Sequence, residues 1–459
     1  MRLRWALGIS AAMACVYGQA PKTQSWEKAV APGLTYRMEV NTSIPMIVHA
    51  LRMSPGATGI RAIPELAGHT MNEEGTVKGR LTPAQMAAQA SATGAINGDF
   101  FSFTQGSPIG VTIREGEILD TPIRSRAAFA WGSRNSAVGF VVSSISVTPE
   151  DGSAIKVDAL NQPCGPNQIV VFSQAEGIAS NAVPNVSIVV ALNDPKWTPS
   201  ADLIGTVEST APDVKEAKVA DGKALIVAMG ERIPALSNLK IGQKIRIQIQ
   251  STGFDWDKVD NVIGGGPILI KDGKVAIDAA KEGFPASFFA KRHPRTAIGR
   301  SADGDIWLVA VDGRQEISAG ATLEEMAKVM VSLGCVDAIN LDGGGSTCLN
   351  LLGVTVNRPS DGVERPVSDG VLVFSSKANP PAGDLKLVIV PKIDLSKGAE
   401  ARVTLDGKPV PNVDVVWGAQ GAGWIDQGGT IHPLELGKVK IKAAVYGRVL
   451  VAEPTIAEH

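Results

Sequence analysis

The sequence predicts an α+β fold: a mixed, β-rich core holding a repeated helix–strand–hairpin unit, followed by a C-terminal all-β sandwich. Three observations predict it. The chain has 459 residues, more than the roughly 250–300 at which a single hydrophobic core stops growing, so at least two domains are expected. Two segments beginning at Thr82 and Thr322 repeat one order of helix, glycine, strand and Asn-x-Asp. Beyond a Pro/Gly/Ser-rich stretch at 375–383, the chain breaks into short alternating runs separated by turn signals.

Composition removes several classes of function. With 44% apolar residues, 49 Gly and 28 Pro, the chain is globular and stays below the glycine and proline content of low-complexity proteins. The 44 basic residues are balanced by 46 acidic ones, for a net charge of -2. No positive charge is spare to neutralise a run of phosphates, so nucleic acid is not an expected partner. The five histidines are scattered, and HExxH, HxH, GxSxG and GxxxxGK[ST] are all absent. Zinc hydrolysis, Ser-His-Asp chemistry and P-loop nucleotide chemistry are therefore not indicated, and acid–base work falls to carboxylates.

The start of the chain reads as an export signal. Arg2 and Arg4 precede an apolar run, Trp5 to Val16, too short to cross a bilayer and of the right length for a signal peptide, assigned here to residues 1–20. The expectation is a secreted or periplasmic protein without a transmembrane segment; lipid anchoring at Cys15 is the weaker alternative. Cys164, Cys335 and Cys348 read as buried thiols, although the sequence leaves a Cys335–Cys348 pairing open.

The repeat is the most informative feature. Thr82 with Gln85, and Thr322 with Glu325, have capping-box spacing, with Pro83 suited to a first helical position. Gly94 and Gly334 suit the left-handed residue after a helix. Each unit then runs through a short strand into Asn97-Gly98-Asp99 or Asn340-Leu341-Asp342. Residues two apart on a strand share a face, so each unit delivers one amide and one carboxylate at a strand end. The sharp expectation is a pseudo-twofold core that brings Asn97, Asp99, Asn340 and Asp342 to one cleft as a carboxylate pair. The plainer alternative is that these side chains merely cap turns.

Glycines and arginines come next. Gly343, Gly344, Gly345 and Ser346 follow Asp342 and precede an apparent strand; three glycines can turn their amides inward as an anion cradle. Gly264 to Pro267 lead into a hairpin turning at Asp272-Gly273, read as structural. Arg295 and Arg314 stand at the ends of a second hairpin, where they suit a clamp for phosphate or carboxylate. The runs Leu385 to Val390, Ala401 to Leu405, Val413 to Trp417 and Lys438 to Val445 place a sandwich at residues 384–459, with Trp417 as its core aromatic. It looks like the Ig-like domains appended to bacterial surface enzymes, which implies spacing or contact with cell-surface glycan.

AINGDFF (95–101), RTAIG (295–299), VDGR (311–314), GATLEEMA (320–327) and AINLDGGGST (338–347) together resemble the phosphodiester glycosidase domain family, whose members include the mannose-6-phosphate uncovering enzyme and exopolysaccharide-linked bacterial proteins. The likeness is read over 32–374, within a domain spanning 21–376, and is loosest at 152–219. It implies a secreted hydrolase that releases a sugar from a sugar-1-phosphodiester, with a carbohydrate phosphodiester as substrate. Asp342 and Asp99 would form the carboxylate pair, with Asp312 as the substitute. Asn97, Asn340, Arg295, Arg314, Gly343, Gly344, Gly345 and Ser346 would hold substrate. No cofactor is required, and calcium among Asp99, Asp312 and Asp342 is compatible with their hard oxygens. Metal-dependent cleavage of the P–O bond, or glycan binding without catalysis, stay open as alternatives.

Overall fold

The computed structural model describes residues 23–54, 56–73, 79–376 and 381–458. The expected signal segment 1–20, with Cys15, and residues 377–380 of the expected linker lie outside the described residues. Strands dominate. The helices among the described residues are α1 (Pro83–Gln89), α2 (Ile233–Ser237), α3 (Ala286–Ala290) and α4 (Leu323–Ser332), the longest of them 10 residues. The expected β-rich core is present, whereas the helical share implied by an α+β label is not. The short strands bury their faces on one another instead of on helices.

Three sheets build the part that carries the repeat. An eight-stranded sheet runs Thr23–Ala31, Leu34–Asn41, Met46–Met53, Ile306–Val311, Arg295–Ser301, Cys335–Asn340, Ile268–Lys271 and Lys274–Val275 in spatial order. A five-stranded sheet places Gly94–Asn97 between Leu349–Leu351 and Asp369–Phe374. These two sheets share a core through Ile96, Ile339, Leu341, Leu349 and Val371, each 0% exposed. Burying one such side chain contributes about 1.5–3 kcal/mol, so this seam fixes how the two Asn-x-Asp ends approach. A second five-stranded sheet, including Asn261–Gly264 and Ala127–Trp131, closes over the same core.

An eight-stranded sheet between 142 and 252, antiparallel except where its edge strand Ala159–Leu160 runs parallel to Ile169–Phe172, stands on the outer face of that second sheet. Its core of Ile145, Val147, Ile188, Ile226 and Ile247 is continuous with Ile113 and Val262. Residues 152–219, where the family likeness is loosest, fall almost wholly within this unit.

Both capping boxes form: Thr82 takes the Gln85 amide and Thr322 the Glu325 amide, with the side chains reciprocating. Gly334 has φ 80 at the end of α4, as its position suggested. Gly94 does not play that part. α1 ends three residues shorter, Ser91 takes the left-handed conformation (φ 55), and Gly94 opens the strand. The hairpin at Asp272 and Gly273 turns with both residues at positive φ, as an Asp-Gly pair favours.

C-terminal residues 385–456 form two antiparallel sheets around one core in which Trp417 is 1% exposed. This unit is not held by a linker alone. Val416 and Ala444 join the core that contains Val354 and Val356, and Arg358 donates to the Gly421 carbonyl at 2.8 Å. Cys164, Cys335 and Cys348 are free thiols. Among the described residues no helix is long and apolar enough to cross a membrane.

Candidate active site

The two Asn-x-Asp ends meet. Asp342 donates its backbone N–H to the Gly98 carbonyl at 2.9 Å, and the Asn97 side-chain amide donates to the Asp342 carbonyl at 2.7 Å. The Asn97 carbonyl oxygen in turn accepts from the Thr296 hydroxyl at 2.9 Å and the Cys348 amide at 3.1 Å. Asn97 is fully buried, so it clamps the two units together and does not reach a sugar. The partner amide does something else. Asn340, also fully buried, donates to the carbonyls of Gly266 and Leu341, so the pseudo-twofold is broken at this pair. Both expected sugar contacts are corrected: these amides spend their donors on backbone.

Asp99 is near enough for the charge of Asp342 to act on it. Its carboxylate accepts from the amides of Phe100 (2.7 Å) and Gly110. Glycine is required around it, because a Cβ on Gly110 or Gly264 would fall 2.4 or 2.6 Å from Asp99 Oδ2. Gly264 was read as structural, yet it makes room for this carboxylate. Burial is the main force on Asp99 and pushes its carboxyl up to about 7; Asp342 adds to the rise, while Arg126 and the two amides oppose it. Asp342 is partly open. It accepts from the Gly343 amide at 2.9 Å and from the Ser346 hydroxyl, and burial lifts it to about 6 against those bonds and the charges of Arg365 and Arg126. Two acids in different environments, raised to about 7 and about 6, are what paired acid–base chemistry needs.

Asp369, absent from the sequence-based set, stands behind them. Its Oδ1 accepts the Asp99 backbone N–H at 3.0 Å and Oδ2 is buried without a partner. Burial, then the Asp99 charge, raises its pKa well above the carboxylate range.

The cation facing the pair is Arg126, also missed. It leads into strand Ala127–Trp131, which is pinned by Ala127: its amide donates to Glu282 at 2.9 Å and its carbonyl accepts from Gly265 at 3.0 Å. The guanidinium lies over Phe284 (4.4 Å) and Phe100 (5.0 Å). Its Nε and Nη1 are buried with no hydrogen-bond partner, and Asp99, Glu282 and Asp342 all act on its charge. A desolvated guanidinium with free N–H groups is built to receive an oxyanion. The only sequence signal was an arginine before an apolar strand, indistinguishable from an ordinary strand-end charge.

The other expected residues divide. Arg295 is 0% exposed and donates to the carbonyls of Ala321, Phe288 and Lys291 beneath the Phe288 ring. Its donors are used internally, which corrects the clamp reading. Arg314 is exposed and lies against Gly344, at the rim. Arg365 pairs with Asp361 at 2.6 Å, reaches Ser346 Oγ at 3.4 Å and contributes positive charge at Asp342.

The glycine loop is a single 3-10 turn, Gly344–Ser346, before strand Leu349–Leu351. The amides of Gly343, Gly344, Ser346 and Thr347 donate to Asp342 Oδ1, Pro294 O, Gly343 O and Gly344 O. With those amides used, Gly343 and Gly344 hold the loop against Asp342 and Pro294 and are not the open anion donors expected. Asp312 belongs to another buried network, accepting from the Arg358 amide at 2.9 Å and facing His49 at 3.4 Å and Asn357 at 3.3 Å. Among the described residues no three His, Cys, Asp or Glu side chains are grouped to hold a metal ion. The residues therefore do not fit a calcium site among Asp99, Asp312 and Asp342.

Parts of the chain are similar to known proteins. A stretch of 82 residues is 43% identical to the SPbeta prophage-derived uncharacterized protein YomE of Bacillus subtilis (strain 168), covering 18% of this chain and 13% of that protein. Another, of 94 residues, is 39% identical to the N-acetylglucosamine-1-phosphodiester alpha-N-acetylglucosaminidase of Bos taurus, covering 19% and 18%. The crystal structure of a hypothetical protein from Synechocystis superposes with a TM-score of 0.66 at 27% identity, over 78% of this chain and 64% of that one. The chain thus spans under a fifth of the length of these two curated relatives. The matched family segment is narrower than the likeness read over 32–374, and it contains Asp342, Asp369 and Arg365 but not Asp99 or Arg126. Residues 202–374 match the phosphodiester glycosidase family, the family that the motifs resemble.

Proposed function

We propose that this protein is an exported hydrolase that cleaves the glycosidic C–O bond of a sugar-1-phosphodiester in polysaccharide or envelope glycan. The observation that carries the reading is the juxtaposition of Asp342, Asp99 and the unpartnered Arg126. Support also comes from the matched family and from the activity in the bovine relative's name. Water adds to the anomeric carbon and the bond from that carbon to the bridging oxygen breaks. Its electron pair stays on the phosphate oxygen, giving free sugar and a phosphomonoester.

Each residue then has a task. Arg126 takes the phosphate oxygens on which charge accumulates, with Arg365 and Arg314 further out. Asp342, the more open carboxylate, faces the anomeric carbon as base or nucleophile, and Asp99 exchanges the proton. Asn97, Ser346 and Gly343 keep Asp342 oriented. Contact with cell-surface glycan through residues 384–459 is part of the same proposal, and sedimentation of the full chain with insoluble envelope polysaccharide tests it.

Hydrolysis of an N-acetylglucosamine-1-phosphodiester in ¹⁸O-labelled water tests the reaction. Label in the released sugar supports it. Label in the phosphate would replace it with P–O cleavage, and binding without turnover would leave a glycan-binding protein.

A further inference from the structure

A cavity of about 410 Å³ opens where the turn after Phe103 meets the sheet between 142 and 252, within the roughly 300–1,000 Å³ of small-ligand pockets. Its walls include Asn72, Ser107, Phe172, Glu176 and Glu216. They are held firmly: Met71 and Asn72 donate their amides to Ala175 and Glu176, Ile178 donates back to Asn72, and the Asn72 side chain donates to Glu176 Oε1 at 2.7 Å.

Two features ask for a ligand. Ser107 is 2% exposed and its hydroxyl has no partner, a state that buried hydroxyls rarely keep. Glu176 is 5% exposed, with the Asn72 amide opposing a rise to about 8 that burial causes. No lysine or arginine is among the described residues that line the cavity. An ammonium group entering there would restore Glu176 to its charged form and meet a carboxylate with no competing cation. Phe172 supplies an apolar floor, while Glu216 at the mouth repels anions.

We propose that this cavity is a separate binding site for an amine-bearing, hydroxyl-rich ligand, an amino-sugar residue, and that it rejects phosphorylated sugars. It does not depend on the hydrolytic reading, because binding is measured without turnover.

The test is a calorimetric titration of the full chain with glucosamine, glucose and glucose 6-phosphate at pH 7. Glucosamine should bind more tightly than glucose, and glucose 6-phosphate should not bind. Glu176→Gln, which keeps the acceptor for Asn72, should weaken glucosamine about tenfold, towards the affinity of glucose. Ser180→Trp, at the exposed rim, should block both sugars while leaving the melting temperature unchanged. Asp342→Asn should leave glucosamine binding as it was. Absent glucosamine binding, equal binding of glucose, indifference to Glu176→Gln and Ser180→Trp, or loss of binding in Asp342→Asn would each overturn the proposal.

Discussion

The Asn97 side-chain amide donates to the backbone carbonyl of Asp342 at 2.7 Å although 245 positions separate them in the chain. This bond ties the end of one repeat unit to the end of the other. With the Asp342 amide on the Gly98 carbonyl, it makes the position of the open carboxylate a consequence of the buried one.

Replacing Asp342 by Asn should therefore leave the fold intact and remove the chemistry. The Gly343 and Ser346 donors keep one acceptor oxygen, while the ionised group is gone. We expect kcat to fall by about 10²–10⁴ with little change in the circular dichroism melt. Retained activity would remove Asp342 from its role.

The pH profile should be bell-shaped. Asp342, raised to about 6, must be ionised, so kcat/KM climbs as pH passes 6. Asp99, raised to about 7, must hold its proton, so the rate falls as pH rises beyond 7. The two carboxyls interact, so the limbs report the pair. A profile flat from pH 5 to 8 would contradict this assignment.

Stability should fall with rising pH over the same range. Asp99 is raised above its unfolded value, so folding favours the protonated form. The resulting advantage is fully present below about pH 4 and is lost as pH rises through about 7. Between pH 4 and pH 8 the wild type should lose several degrees of melting temperature that Asp99→Asn, neutral at every pH, does not lose. An equal loss in both proteins would show that the carboxyl is not strained by burial.

Arg126 and Arg295 should separate cleanly. Arg126→Met keeps contact with Phe100 and Phe284 but loses the free N–H groups, and should cost about 10²–10³ in kcat/KM on a phosphodiester substrate. Arg295→Met strands the carbonyls of Ala321, Phe288 and Lys291, and should cost about 1–3 kcal/mol in urea unfolding with KM unchanged per folded molecule. The reverse pattern would restore Arg295 as the anion clamp.

What the sequence determined by itself was local. The capping boxes at Thr82 and Thr322, the hairpin at Asp272-Gly273 and the C-terminal strands over 385–390, 401–405 and 438–445 were legible because their determinants lie within a few residues of one another, whereas the run expected from Val413 begins in a 3-10 turn, Asn412–Asp414. The repeat likewise singled out Asp99 and Asp342, since each copy ends its strand in Asn-x-Asp despite three extra residues, 335–337, in the second. Only the tertiary structure decided what each charged side chain does. Arg126 and Arg295 both lead into apolar strands, yet one is left with buried, unpartnered N–H groups beside two carboxylates and the other is consumed by three carbonyls. Asn97 and Asn340 end matching strands, yet only the first clamps the opposite unit. Charge and hydrogen-bond capacity are set by neighbours brought from far along the chain, and a single sequence does not say which of its distant segments will supply them.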